Sequence, residues 1–220
     1  MILDSLPPLL ESTAVTLFMV FASAFFAFIF GLPIAIGLHV TAKGMFYENK
    51  LIHKILASIV TLGRSIPFVI LMVAIMPLTR FLVGTSIGTA ATIVPLSLAA
   101  VPFFARIVEG KFSGVDLGLI EAARSMGATP WQMICKVLLP EATPGIANAC
   151  TILLVSLTEY SAMAGALGGG GLGNMAIQYG YYQFDTVVML QALIALVAVV
   201  LALQFLGDFT TRRLSYHTLL

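Results

Sequence analysis

Two residues in this chain place charge where charge is expensive. Arg64 and Glu159 each sit inside a long apolar run, and an ionised group at membrane depth costs at least about 2.5–3.5 kcal/mol on insertion scales. Each therefore needs a counter-charge, water or a charged solute. Together they are also the pair that would hold a zwitterion, with Glu159 facing an ammonium and Arg64 a carboxylate. Arg64 stands ten residues beyond Lys54 and Glu159 thirteen beyond Ile146, which is roughly 15 Å and 20 Å along a helix from the same side. Similar depth leaves three readings open: an ion pair joining the second and fourth apolar segments, direct contact with a zwitterionic amino acid, and separate water-facing positions near the mouth of a pathway.

Little else suggests reaction chemistry. His39, His53 and His217 fall at segment ends or in the tail, and neither an HExxH nor a nucleophile-elbow pattern occurs, which argues against an intramembrane enzyme. Cys135 and Cys150 are fifteen residues apart with no Cys or His beside either, so both read as packing residues rather than a disulfide or zinc framework. The run Gly168 to Gly171 has no GKS or GKT after it and no strand before it, which argues against a phosphate cradle and leaves either a plain linker or a flexible or tightly packed loop beyond the fourth apolar segment. Met163 has a polarizable thioether that suits either core packing or a soft apolar solute.

The elements that position these residues follow from composition. Of 220 residues, 60% are hydrophobic and 10% charged, and the mean hydropathy is +1.04. Soluble domains are about half apolar and a quarter charged, so this chain belongs in lipid. Its net charge of +1 offers no basic surface to nucleic acid. A membrane helix needs about 20 largely apolar residues. About five segments qualify, near 13–40, 55–78, 85–105, 146–167 and 186–207, which predicts an all-α polytopic membrane protein forming a single domain over 1–220. The first twelve residues carry no Lys or Arg, unlike a secretory leader, so the first segment is expected to remain as a helix. Lys43, Lys50 and Lys54 follow the first segment, Arg106, Lys111, Arg124 and Lys136 the third, and Arg212 and Arg213 the fifth. Basic residues gather on the cytoplasmic side, which predicts the N-terminus outside and the C-terminus inside. No internal repeat of the kind that builds secondary transporters is evident.

The only sizeable connecting segment, 106–145, would then be cytoplasmic. Leu119, Ala122, Ala123 and Met126 recur at helical spacing with Glu121, Arg124 and Ser125 turned elsewhere, predicting a short amphipathic helix. Gly127 can supply the left-handed residue that stops it. Thr129, Pro130 and Gln132 then occupy the N-cap, first and third positions of a second helix, a capping box. Trp131, Ile134, Val137 and Leu138 share its apolar face up to Pro140. Physics alone leaves two uses open for such a pair: packing on the bundle, or docking a partner.

Glu121-Ala122-Ala123, then Gly127, nine residues, and Val137-Leu138-Leu139-Pro140 resemble the EAA motif of ABC importer permeases. Arg64-Ser65-Ile66-Pro67-Phe68, Val83-Gly84-Thr85-Ser86, Tyr160-Ser161-Ala162-Met163, Gly170-Gly171-Leu172-Gly173 and Tyr179-Gly180-Tyr181 are similar to the methionine-importer subfamily. Most of the chain is covered. Glu159 departs from the pattern, in which a small or apolar residue precedes the Tyr-Ser-Ala-Met run. The resemblance implies a non-catalytic permease of the bacterial inner membrane, working as a homodimer with two cytoplasmic ATPase subunits, which carry ATP and Mg, and an external substrate-binding protein near the glycine loop. Its site residues would be Glu121, Ala122, Ala123, Arg124, Gly127, Thr129, Pro130, Trp131 and Pro140 for coupling to the ATPase. Arg64, Pro67, Glu159, Tyr160, Ser161 and Met163 would line the pathway. A permease for another amino acid or small zwitterion is the alternative.

Overall fold

The apolar runs become rods because in lipid every backbone N–H and C=O must be satisfied within the segment. The computed structural model describes residues 6–218, without the side chains of 6, 7 and 216–218, so the side chain of His217 lies outside the described residues. The first rod, α1 (Leu6–Thr41), has 36 residues, about 54 Å at 1.5 Å per residue. That exceeds a hydrocarbon core of about 30 Å and lets it tilt or project. Asn49 then caps α2 (Lys50–Ser65), its side-chain oxygen accepting from the N–H groups of Leu51 and Ile52 at 3.1 Å.

The expected second span, 55–78, is not one helix. Pro67 has no N–H and forces the residue before it out of the helical region; Ile66 is extended at φ −87°, ψ 122°. The chain restarts as α3 (Phe68–Ala74) at 97° to α2, and α4 (Met76–Val83) follows. Next comes α5 (Thr89–Phe112), with Pro95 and Pro102 inside it. The connecting segment holds α6 (Leu117–Ser125) and α7 (Pro130–Met133). A π turn over Ile134–Leu138 leads from α7 straight into α8 (Leu139–Ala166). After the glycine run come α9 (Gly171–Met175), a second π segment (Ala176–Tyr182) and α10 (Thr186–Thr218). Among the described residues four stretches are long and apolar enough to cross a membrane, or five if the bent α2–α3 pair is one span.

The core is the line where α1, α5 and α8 meet, with Leu38, Leu96, Phe104, Leu138, Leu153 and Leu157 essentially inaccessible. Association in lipid relies on close packing more than on the hydrophobic effect, which favours small residues at crossings. Ala27, Ala35, Ala100, Ala105 and Ala149 are buried there, and a Cβ at Gly31 would come within 3.0 Å of the Val101 carbonyl. Outward, α1 presents Phe18, Phe21, Phe25 and Phe28 along one exposed stripe that suits acyl chains. The bundle has two ends. One carries α6, the start of α8 and the last turns of α1 and α5, where His39 packs on Phe112; the other carries the glycine run, whose Gly168 carbonyl accepts from the Gly88 N–H just before α5.

Candidate coupling helix and membrane groove

At the first end, Asp116 caps α6 by accepting the Gly118 N–H at 2.8 Å, a cap the sequence reading missed although Asp directly before a helix is an ordinary start signal. The predicted stop is present: Gly127 has φ +79°, with its N–H on the Arg124 carbonyl and the Ala128 N–H on the Ala123 carbonyl. The capping box forms in both directions, the Gln132 N–H donating to Thr129 Oγ1 and the Thr129 N–H to Gln132 Oε1.

The predicted faces are not the observed ones. Ile120 is the buried side chain of α6, whereas Leu119 and Ala122 are exposed, Ala123 is half-buried and Met126 is 87% exposed. In the second helix Met133, Ile134 and Leu138 are buried and Trp131 is 71% exposed. The cause is that α6 rests chiefly on α7 and the π turn, so most of its circumference has no neighbour to pack against. Glu121 and Arg124 are both exposed and do not pair; among the described residues the ion pair at this end is Arg106–Glu109 at 2.6 Å. Leu117, Met126 and Trp131 are thus large apolar side chains left exposed on the connecting segment.

Pro140 does not end the second helix as expected. Proline removes a hydrogen bond and its ring clashes with the carbonyl four residues back, Lys136. That carbonyl lies inside the π turn, where bonding is shifted to five residues, so Pro140 sits in the first turn of α8 without interrupting the rod. The second connecting helix and the fourth span are therefore one continuous helical stretch from Pro130.

The break at Pro67 opens a groove of 220 Å³ lined by Gly63, Arg64, Ile66, Phe68, Phe103 and Tyr160. Gly63 lets α2 lie against Pro102 of α5, where a Cβ would approach the proline ring to 2.8 Å. The Phe68 ring stacks on Tyr160 with centroids 4.9 Å apart and 8° between planes, tying the broken span to α8. Arg64 is exposed at this groove, but Glu159 leaves it: it points into a separate groove of 270 Å³ between α8 and α10, with Leu196, Val197 and Leu201. The ion pair within one chain is absent, because adjacent positions on a helix diverge by about 100° and Tyr160 takes the direction toward Arg64. Ser161 is buried with its hydroxyl donating to the Thr158 carbonyl at 2.8 Å, so it does not line the groove, while Met163 is half-exposed on α8.

Cys135 is exposed, not packed, and Cys150 is half-buried; both are free thiols. Among the described residues no cluster of His, Cys, Asp and Glu could hold a metal ion. The glycine run is tightly packed. Thr16 Oγ1 accepts the buried Leu172 N–H at 2.9 Å, and a Cβ at Gly171, where φ is +73°, would meet the same oxygen at 2.5 Å. Thr16 carried no signal in the sequence beyond being a hydroxyl in an apolar helix, where such groups often bond to another element.

Apolar rods long enough to cross lipid, one span broken at Pro67, together with a capped helix pair on the connecting segment, define a polytopic membrane protein. The chain belongs to the family described as binding-protein-dependent transport system inner membrane component, whose pattern matches residues 27–216. It is 49% identical over 209 residues to the "Probable D-methionine transport system permease protein MetI" of Vibrio cholerae, covering 95% of this chain and 93% of that one. Against the D-methionine transport system permease protein MetI of Escherichia coli K12 it is 53% identical over 150 residues, 68% of this chain and 69% of the other. Among solved structures, inward-facing MetNI methionine ABC transporter matches with TM-score 0.94 and 48% identity, covering 96% of this chain and 98% of that one. An amino acid ABC transporter crystallised with histidines shares the fold alone, at TM-score 0.73 and 19% identity.

Proposed function

We propose that this chain is the membrane permease of an ATP-driven methionine importer, two copies enclosing the pathway and two cytoplasmic ATPase subunits, which bind ATP and Mg, driving it. An external binding protein delivers the substrate, and the chain itself catalyses no reaction. The observation that carries this reading is the near-complete overlap with the methionine transporter at 48% identity. The α6 end is the cytoplasmic end: Lys43, Lys50, Lys54, Arg106, Lys111, Arg124, Lys136, Arg212 and Arg213 flank the helix ends on that side, as the positive-inside rule requires.

The mechanical path follows from the continuity of that helical stretch. Glu121, Ala122, Arg124 and Trp131 face outward from α6 and α7 to meet the ATPase, and the Gly127 turn with the Thr129 box sets the angle between those helices. Movement there passes through the π turn and along α8 to Tyr160, roughly 40 Å away at 1.5 Å per residue. Tyr160 stacks on Phe68 immediately after Pro67, so a shift of α8 acts on the break itself, where a hinge already exists. Reconstitution with the companion ATPase and methionine-binding protein in liposomes tests the reading. ATP-dependent accumulation of methionine is expected; transport without ATPase, or of a different amino acid in preference, overturns it.

A further inference from the structure

Arg64 and Glu159 are both exposed, and neither has a hydrogen-bond or ion-pair partner among the described residues. They sit at one depth, since Arg64 shares its groove with Tyr160, the neighbour of Glu159. We propose that Glu159 of one protomer pairs with Arg64 of the other, so that two symmetry-related bridges close the homodimer at the level of the Pro67 break. This rests on the homodimeric permease reading above.

The two exposed stripes of the protomer differ in kind. Along α1, Phe18, Phe21, Phe25 and Phe28 are apolar throughout, as a lipid-facing surface must be. Along α8, Asn148, Ile152, Ser156, Glu159 and Met163 recur every three or four residues and are all at least partly exposed. Three of them are polar and one is a carboxylate. Beside this stripe, a groove of 180 Å³ adds Gln204 and Asp208 from α10. Charged and amide groups at membrane depth face protein or water and not acyl chains, so this stripe is covered by something other than lipid. A cation would satisfy Glu159, and among the described residues the unpaired cation at its depth is Arg64, which on the same chain faces a different groove. A twofold axis makes residue i meet j and j meet i, so one complementary pair satisfies both charges on both copies.

The test uses the complete complex with ATPase subunits. In a background carrying C135S and C150A, two differently tagged copies are co-expressed, one bearing R64C and the other E159C, and treated in membranes with a bismaleimide long enough to span an Arg–Glu contact, because a direct disulfide needs Cα atoms within about 7 Å. A cross-linked dimer containing both tags is expected, with none from F25C combined with E159C. Singly, R64E and E159R should lower transport at least tenfold, and the two combined in one chain should recover most of it. A permease that is dimeric by light scattering but yields no mixed-tag band overturns the bridge and leaves the importer reading standing. Failure of the double reversal to exceed either single variant also overturns it. A permease present as one copy per complex overturns the homodimer and the bridge together.

Discussion

Where α8 leaves the bundle, the chain doubles back so closely that Gly165 and Gly173 have no room for a side chain: a Cβ on Gly173 would lie 2.6 Å from the Ala162 Cα. Where α8 begins, it grows out of α7 and a π turn and leads back to a helix most of whose surface touches nothing. The glycine end is held by backbone against backbone and by the buried bond from Leu172 to Thr16. The α6 end is held by caps, each closing locally within a few residues. A lever works only if one end is anchored and the other is free to be pushed, and this protomer has both kinds of end on one rod.

Substitutions at the two ends should therefore fail differently. Gly173→Val puts two methyl groups into contact with the Ala162 backbone and should cost about 3 kcal/mol, the upper range for overpacking, with loss of monodisperse protein in fluorescence-detected size exclusion and no transport. Gly127→Pro cannot adopt φ +79°; it should abolish uptake while membrane insertion and melting temperature stay close to wild type, and Glu121→Lys should do the same. Equal loss of stability at both ends would break the contrast. Thr16→Val leaves the Leu172 N–H buried without an acceptor, a cost of about 1–3 kcal/mol, read as a lower melting temperature with transport per folded molecule unchanged. Thr129→Ala removes the capping hydroxyl, worth about 1 kcal/mol. Its expected signature is faster amide exchange confined to Trp131 and Gln132 and a modest fall in coupled ATPase rate.

Local signals were legible. The helical rods, the left-handed Gly127 and the Thr129–Gln132 box depend on residues within a turn of one another, so their spacing is enough to read them. The pairing of Arg64 with Glu159 inside one chain failed because equal depth says nothing about azimuth. Tyr160 and Glu159 are neighbours in sequence, yet one stacks on Phe68 and the other faces α10. The faces of α6 failed for a related reason: periodicity finds an apolar stripe but not whether a neighbour exists to cover it, and here Met126 and Trp131 are uncovered.

Composition and pattern by themselves determined that this chain is helical, lives in lipid and carries a capped segment outside it, since those properties follow from transfer energies and from hydrogen bonds closed within a few residues. Only the tertiary structure decided that Pro140 is bridged rather than obeyed as a stop, that Pro67 swings the second span through 97°, and that the glycine run is packed solid. Each of those outcomes turns on which surfaces come into contact across the bundle, and close packing between distant segments leaves no mark on the spacing of residues along either one.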